Sequence, residues 1–288
     1  MDLIVETDIG HDPDDFFAIC YLLAAGVKIR AILISAGDPD QIAIAKLILK
    51  EVGLDIPVGV SHKDRFKLSS GSIHHKLLKK YGRKLEEKPD GMGIEIIDEV
   101  YKKYPQCDLF VIGPATNIGG FIAKNNPCFN SITITMQGGF LPYSLYRPNL
   151  ICEKFENKEW MPTFNLNGDV SSGKNLLSSK VKNRRMVGKN VCHTVLFDKS
   201  KIENIKPKCV ASSLFLEAAQ MYFLDHDSKK FHDPTAACLH IHPEMGTWFK
   251  GKTTRISGGW TTKEDVNGDD ILAEIDQELL WDHLLNFN

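Results

Sequence analysis

No C-x-x-C pair occurs among the seven cysteines of this 288-residue chain, which lie scattered at Cys20, Cys107, Cys128, Cys152, Cys192, Cys209 and Cys238. That spacing argues against a zinc site and against a disulfide framework. Charge of one sign is also missing: 35 lysines and arginines face 37 aspartates and glutamates, a formal net charge of −2. A nucleic-acid polymer would find no basic surface here. The lysine pairs Lys79-Lys80 and Lys102-Lys103 fall at helical spacing among apolar residues, as solvated faces do. No apolar run approaches membrane-spanning length, and the N-terminus enters a strand directly, without signal-peptide architecture. The expected compartment is therefore a reducing cytoplasm, with no membrane partner. Repeats, low-complexity linkers and composition shifts are absent too, so one domain over residues 1–288 is expected. A composition 43% hydrophobic and 25% charged suits a single large core.

What the chain does have stands at its start. Leu3-Ile4-Val5-Glu6-Thr7 reads as a buried strand running into Asp8-Ile9-Gly10-His11-Asp12-Pro13-Asp14-Asp15, and then into the apolar run Phe16-Phe17-Ala18-Ile19. Asp8, Asp12, Asp14 and Asp15 fall within eight residues. Four like charges so close are costly unless a cation neutralises them. Hard oxygen donors at the end of a first strand suit Ca²⁺ or Mg²⁺. The plainer alternative is a solvated acidic turn in which Asp12 or Asp14 caps the helix.

Downstream the pattern alternates. Phe16 to Ala25 reads as a helix stopped by Gly26, Val27 to Ser35 as a strand, Gln41 to Val52 as a helix and Ile56 to Val60 as a strand. This alternation predicts an α/β fold with a mostly parallel central sheet flanked by helices. Ligands in such sheets bind beyond the carboxyl ends of the strands. Residues 61–90 are polar and basic, long enough for a lid or a surface excursion. A helix is expected over Gly93 to Tyr104, then a buried strand from Asp108 to Ile112 and a Gly113-Pro114-Ala115-Thr116-Asn117 turn into a helix. Ser131 to Met136 is the next strand, followed by Gly138-Gly139. Further strands are expected at Val191 to Phe197, Thr253 to Ser257 and Ile271 to Ile275. Helices are expected from Val170, over Ala211 to Leu224, from the Phe231-His232-Asp233-Pro234 segment, and over Gln277 to Leu285.

Taken together, the first acidic loop, the Gly-Pro-x-Thr-Asn turn, the Gly-Gly after a strand, the Phe164-Asn165 segment and the late His232-Asp233-Pro234 resemble the inosine-uridine nucleoside hydrolases. The flanking stretches GLDIPVGVS, TTRISGGWTTKED and ILAEIDQELLWDHLL resemble that family as well, in consistent order along nearly the whole chain. The resemblance implies a Ca²⁺-dependent N-glycosidase that splits a ribonucleoside into free base and ribose, with Mg²⁺ the less suitable ion. It implies that Asp8 contacts the metal and takes a proton from the attacking water, that Asp15 and Asp233 are ligands, and that Thr116 lends its backbone carbonyl. Asp14 would hold a ribose hydroxyl, with Asp38, Asn165 and Thr163 also against the substrate. His232 would lie near the leaving base. The family commonly forms dimers or tetramers, so a homo-oligomer is expected. The residue types make chemical sense, because carboxylates stabilise oxocarbenium character and a cation-bound water gives up its proton near neutral pH.

Several positions depart from the family pattern. The acidic loop is two residues longer, so counting from Asp8 gives Asp12 the ribose role, whereas counting from the helix gives it to Asp14. Glu6 and Asp38 stand where Asp and Asn are common. Thr163 replaces a Glu that helps hold the 5′-hydroxyl, which opens the way to a nucleotide or another 5′-substituted ribose. A metal- and nucleoside-binding homologue without turnover is the competing class. His74 and His75 are expected to face solvent. Tyr143, Tyr146, Trp160 and Phe231 are aromatic residues able to stack on a base, or simply to pack.

Overall fold

The computed structural model describes residues 1–62, 64–71, 73–125, 127, 129–145 and 152–288. Tyr146 lies outside the described residues. The chain begins with β1 (Asp2–Thr7), α1 (Asp14–Ala24), β2 (Lys28–Ile34), α2 (Pro39–Val52) and β3 (Val58–Val60). It continues through α3 (Ile73–Lys80), β4 (Gly91–Met92), α4 (Gly93–Lys103), β5 (Asp108–Val111), α5 (Thr116–Asn125) and β6 (Phe129–Gln137). Then come α6 (Phe164–Gly168), α7 (Val170–Ser178), β7 (Val181–Val187), α8 (Lys189–Cys192), β8 (Leu196–Asp198), α9 (Lys199–Ile202) and α10 (Val210–Tyr222). The last part holds β9 (Ser228–Lys230), α11 (Asp233–Ile241), β10 (Gly246–Ile256), β11 (Gly259–Glu264), β12 (Asp269–Ile275) and α12 (Gln277–Asn286).

Ten strands form one sheet in the order β11-β10-β12-β7-β6-β5-β1-β2-β3-β4. From β12 to β4 every neighbouring pair is parallel, and only β10 runs antiparallel, against β11 and β12. The expected mostly parallel α/β sheet is the one observed. Its topology fixes where a ligand can sit. From β1 the chain winds one way through β2, β3 and β4, then crosses to β5 on the other flank of β1. The order therefore reverses between β1 and β5, and a crevice opens beyond the carboxyl ends of those two strands.

Helix α1 anchors the acidic loop to the core. Phe16, Phe17, Ile19 and Leu22 are fully buried, each contributing roughly 1.5–3 kcal/mol of transfer free energy. Phe17 packs on Phe215 of α10 and Phe231, with ring centroids 4.8 Å and 5.5 Å apart. The α1 backbone, and with it Asp14 and Asp15 in its first turn, is thus fixed by apolar contacts with the far end of the chain.

Two sequence expectations fail here. Val191 to Phe197 is not a strand: it holds the end of α8 and the start of β8, which pairs only with β9. The strand that belongs in the sheet is β7, whose Lys182, Arg184 and Arg185 masked it. Arg184 is buried, but its guanidinium is satisfied by Asp269 at 2.7 Å and by the carbonyls of Leu177 and Ser179, which is how a charge is tolerated inside. The second failure is His74 in α3. It is fully buried and lies edge-on to Phe16 at 6.2 Å, and burial lowers its pKa to about 4.

Candidate active site

A cavity of about 520 Å³ opens at the predicted sheet edge, a volume in the range of small-molecule sites. Strand ends and helix starts supply its walls. Asp8 follows β1, Ile112 follows β5, Gln137 ends β6 and Lys189 begins α8 beyond β7. Asp14 and Asp15 come from the first turn of α1, while His232 and Asp233 come from the start of α11. Asp12, Thr163 and Asn165 complete the set of predicted residues that share this cavity.

The acidic loop is held by its own backbone and by neighbours. Thr7 donates its hydroxyl to Asp15 Oδ1, and the Asp8 amide reaches the same oxygen at 3.3 Å. Gln41 Nε2 donates to the Asp8 carbonyl at 3.1 Å. The loop after β5 presses directly on Asp8: a Cβ on Gly113 would lie 2.5 Å from the Asp8 nitrogen, so only glycine fits. Beneath the site, Glu6 accepts from the Asn117 and Ile118 amides at 2.6 Å and 2.9 Å and from the Ser35 hydroxyl at 2.8 Å. It thus caps α5 at a distance, and burial outweighs those donors to raise its pKa to about 7.

The four loop carboxylates separate into two kinds. Asp12 is engaged at both oxygens, with Oδ1 accepting from the Asp14 amide at 2.8 Å and Oδ2 facing Lys229 Nζ at 3.1 Å. Asp14 Oδ2 receives the His232 amide at 3.0 Å, His232 Nδ1 at 3.3 Å and Lys229 Nζ at 3.3 Å. Burial pushes Asp14 up, but Lys229 and His232 outweigh it and hold the carboxyl below its usual value. Asp14 Oδ1 is buried with no hydrogen-bond partner among the described residues. Such an orphan acceptor is costly unless a ligand hydroxyl reaches it.

Asp8, Asp15 and Asp233 have no cationic partner among the described residues. Burial, with Asp12 adding repulsion, raises Asp8 to about 7. Asp15 rises well above the carboxylate range through burial and then Asp8. Asp233 does so through burial and then Asp15. Three buried carboxyls that lift one another make a donor set of hard oxygens, which is what a divalent cation requires. Among the described residues, however, no three His, Cys, Asp or Glu side chains already stand at ligating geometry.

Two predicted site residues are placed elsewhere. Asp38 does not line the cavity: it precedes α2, and its Oδ1 is bound by Arg65 Nε. Thr116, expected to lend its backbone carbonyl, is not among the lining residues either; it is the first residue of α5, and its amide donates to the Pro114 carbonyl at 2.8 Å. Tyr143, Trp160, Phe231 and His75 also lie outside the lining. Phe231 belongs to the aromatic core, and His75, partly exposed, also bonds Asp40 through Nε2 at 3.0 Å. Asn165 is fixed by donating Nδ2 to the Ile112 and Gln137 carbonyls, tying together the ends of β5 and β6.

Among the lining residues, sequence reasoning missed Lys154, Lys189 and His193. His193 packs edge-on to His232 at 5.1 Å and accepts from Lys230 Nζ at 3.1 Å. Burial and then His232 lower its pKa to about 3, so the ring is neutral. No motif marks these positions. The topology, which places the β7–α8 corner along the same edge as β1, brings in Lys189 and His193.

A mostly parallel α/β sheet with a carboxylate-lined crevice at its reversal point defines the class: an α/β fold with a ligand site at the carboxyl edge of its strands. The sequence model of the inosine-uridine preferring nucleoside hydrolases matches residues 3–282, and the chain belongs to that family. It is a hydrolase acting on the N-glycosidic bond of ribonucleosides. An uncharacterised protein of Aquifex aeolicus is 24% identical over 245 residues, covering 82% of this chain and 81% of that one. Among solved structures, a plant nucleoside hydrolase superimposes with a TM-score of 0.75 at 17% identity, covering 99% of this chain and 97% of that chain. The inosine-uridine preferring nucleoside hydrolase of Bacillus anthracis gives 0.74 at 12% identity, covering 98% and 97%. At those identities the superpositions speak for the fold alone.

Proposed function

We propose that the chain hydrolyses ribonucleosides with Ca²⁺ as cofactor, Asp8, Asp15 and Asp233 being its carboxylate ligands. The observation that carries this reading is the convergence of those three buried carboxyls, without a cationic partner among the described residues, on the cavity that also holds the orphan Asp14 Oδ1. When bound, the ion neutralises the carboxylates and makes a water more acidic. Ca²⁺ suits the set better than Mg²⁺ because it tolerates irregular oxygen geometry.

The residues then divide the work. Asp14 Oδ1 accepts from a ribose hydroxyl, and this favours Asp14 over Asp12, whose oxygens are both engaged. Asp8 takes a proton from the attacking water. The C1′–N bond breaks as the water oxygen bonds to C1′, and the cluster of carboxylates stabilises positive character on the sugar. His232 delivers a proton to the departing base from Nε2, since Nδ1 is turned to Asp14. Cysteine usage supports a reducing, cytoplasmic setting: the six described cysteines are all free. No described helix is long and apolar enough to cross a membrane.

Release of free base from a ribonucleoside panel, with Ca²⁺ or with chelator, tests this reading. Base release that needs Ca²⁺ supports it. A panel in which chelation changes nothing removes the ion from the mechanism, and one in which nothing is hydrolysed removes the reading itself.

A further inference from the structure

The cavity has a basic end that the chemistry above leaves unused. Lys154 and Lys189 line it beside Thr163 and Phe164, and neither lysine is paired with a carboxylate among the described residues. The residues outside that set (63, 72, 126, 128 and 146–151) include no Asp or Glu. Lys189 is half-buried, and its Nζ donates to the Pro162 carbonyl at 3.2 Å, next to Thr163. Lys154 Nζ lies 5.9 Å from the Phe155 ring centroid. Burial and then Lys154 push the Lys189 ammonium below its usual pKa, so the two cations share one neighbourhood. Like charges held together in a partly dry cavity are offset by an anion between them. The Thr163 hydroxyl is buried with no hydrogen-bond partner among the described residues, and it stands in the same lining.

The two ends of the cavity are set apart by the sheet. Asp8 follows β1 and Lys189 follows β7, with β5 and β6 between. Three strand spacings separate them, about 14 Å, before the side chains reach inward. His232 and His193 stand between the ends: His232 bonds Asp14, while His193 is depressed by burial, then His232, then Lys230, Lys154 and Lys189. A sugar whose hydroxyls are held at the acidic end leaves its far substituent facing the lysines.

We propose that the substrate is a ribonucleoside 5′-phosphate, with its phosphate held by Lys189, Lys154 and the Thr163 hydroxyl. This rests on the hydrolytic reading above. The same C1′–N bond breaks and water adds to C1′, giving free base and ribose 5-phosphate, while the phosphate ester stays intact. Lysines recognise phosphate as point charges, and a threonine hydroxyl supplies a directional donor.

The test compares base release from ribonucleosides and their 5′-monophosphates with Ca²⁺ present, in wild type and in K189M, K154M and T163V. Ribose 5-phosphate and ribose are compared alongside by calorimetry, and thermal melts check that each variant folds. The wild type is expected to favour the monophosphate by about 10- to 100-fold in kcat/KM, the value of one or two charge-assisted bonds. K189M should collapse that ratio, K154M should lower it less, and ribose 5-phosphate should bind about tenfold or more tighter than ribose. Nucleosides turned over as well as their monophosphates overturn the proposal, as does a K189M defect equal on both substrates. If nothing releases base, the hydrolytic reading has failed, and the binding arm decides the proposal separately. Equal affinity for the two sugars then overturns it, and a phosphate preference lost in K189M upholds it.

Discussion

Two acidic loops leave the sheet side by side, one after β1 and one after β2, and each runs from a strand end into a helix with an Asp-Pro-Asp in its path. After β1, Asp14 keeps a buried oxygen without a partner, and Asp8 and Asp15 face the cavity with no counter-charge, among the described residues. After β2, Asp38 is bound by Arg65. Asp40 is fully buried, yet it accepts from the Ser69 and Ser70 amides at 3.2 Å and 2.7 Å and from His75 at 3.0 Å. The difference lies in how the same stretch of chain meets each loop. Residues 65–71 and 73–75 bond the carboxylates of the second loop, whereas on the first Gly71 donates only to the backbone carbonyl of Gly10, at 3.0 Å. Gly10 itself, at φ 116°, admits no side chain, because a Cβ there would meet Ser70 Oγ at 2.3 Å. Similar local sequence thus yields one loop with charge to spare for chemistry and another whose charge is spent on structure.

The sharpest way to break that comparison is Asp8→Asn. A lost general base costs about 10²- to 10⁴-fold in rate, so kcat for base release should fall by that much while the melting temperature holds or rises. Undiminished turnover would remove Asp8 from the chemistry. Next in size is the ion itself. Ca²⁺ at a hundred times its Kd should stabilise the fold by about 2.7 kcal/mol, a gain lost on chelation and absent in Asp15→Asn. Asp40→Asn should destabilise by about 1–3 kcal/mol, because buried amide donors lose a charged acceptor. Proteolysis between residues 64 and 71 should accelerate in that variant.

The pH dependence of Asp40 has a definite sign. Burial raises its carboxyl, but His75 and the serine amides outweigh it and lower the folded pKa. Its stabilisation is complete above the unfolded value of about 3.9 and is lost as pH falls through the folded value. Wild type should therefore lose more stability than Asp40→Asn as pH falls below about 4. The smallest effect is expected for Asp38→Asn, within about 1 kcal/mol because Arg65 is partly exposed. Its kcat/KM should stay near that of wild type, as befits a residue outside the cavity.

Strand-and-helix alternation made the parallel half of the sheet readable in advance, since β1, β2, β5 and β6 are apolar runs bounded by turns. β7 was not readable, because its buried arginine needs partners from α7 and β12 that no local window contains. The carboxylates Asp8, Asp14, Asp15 and Asp233 could be picked out by residue type and motif, and the cavity does gather them. Asp38 could not be placed that way, because a motif position does not say which way a side chain turns or which arginine lies over it. Lys154, Lys189 and His193 carry no signal until the strand order is known.

The segment from Lys229 to Asp233 brings both the counter-charge for Asp12 and Asp14 and the last carboxylate of the cluster, across 218 residues from Asp14 to His232. Contacts of such sequence separation carry a large loop-closure entropy and are expected to form slowly. Until α11 docks on α1, the opening loop is an unneutralised acidic strand end with no affinity to trap it in a wrong arrangement. During refolding, substrate binding should therefore return with the slow docking of residues 228–241, not with the earlier pairing of β1 and β2. Competence to bind is thus expected to report, during folding, that α11 has docked on α1.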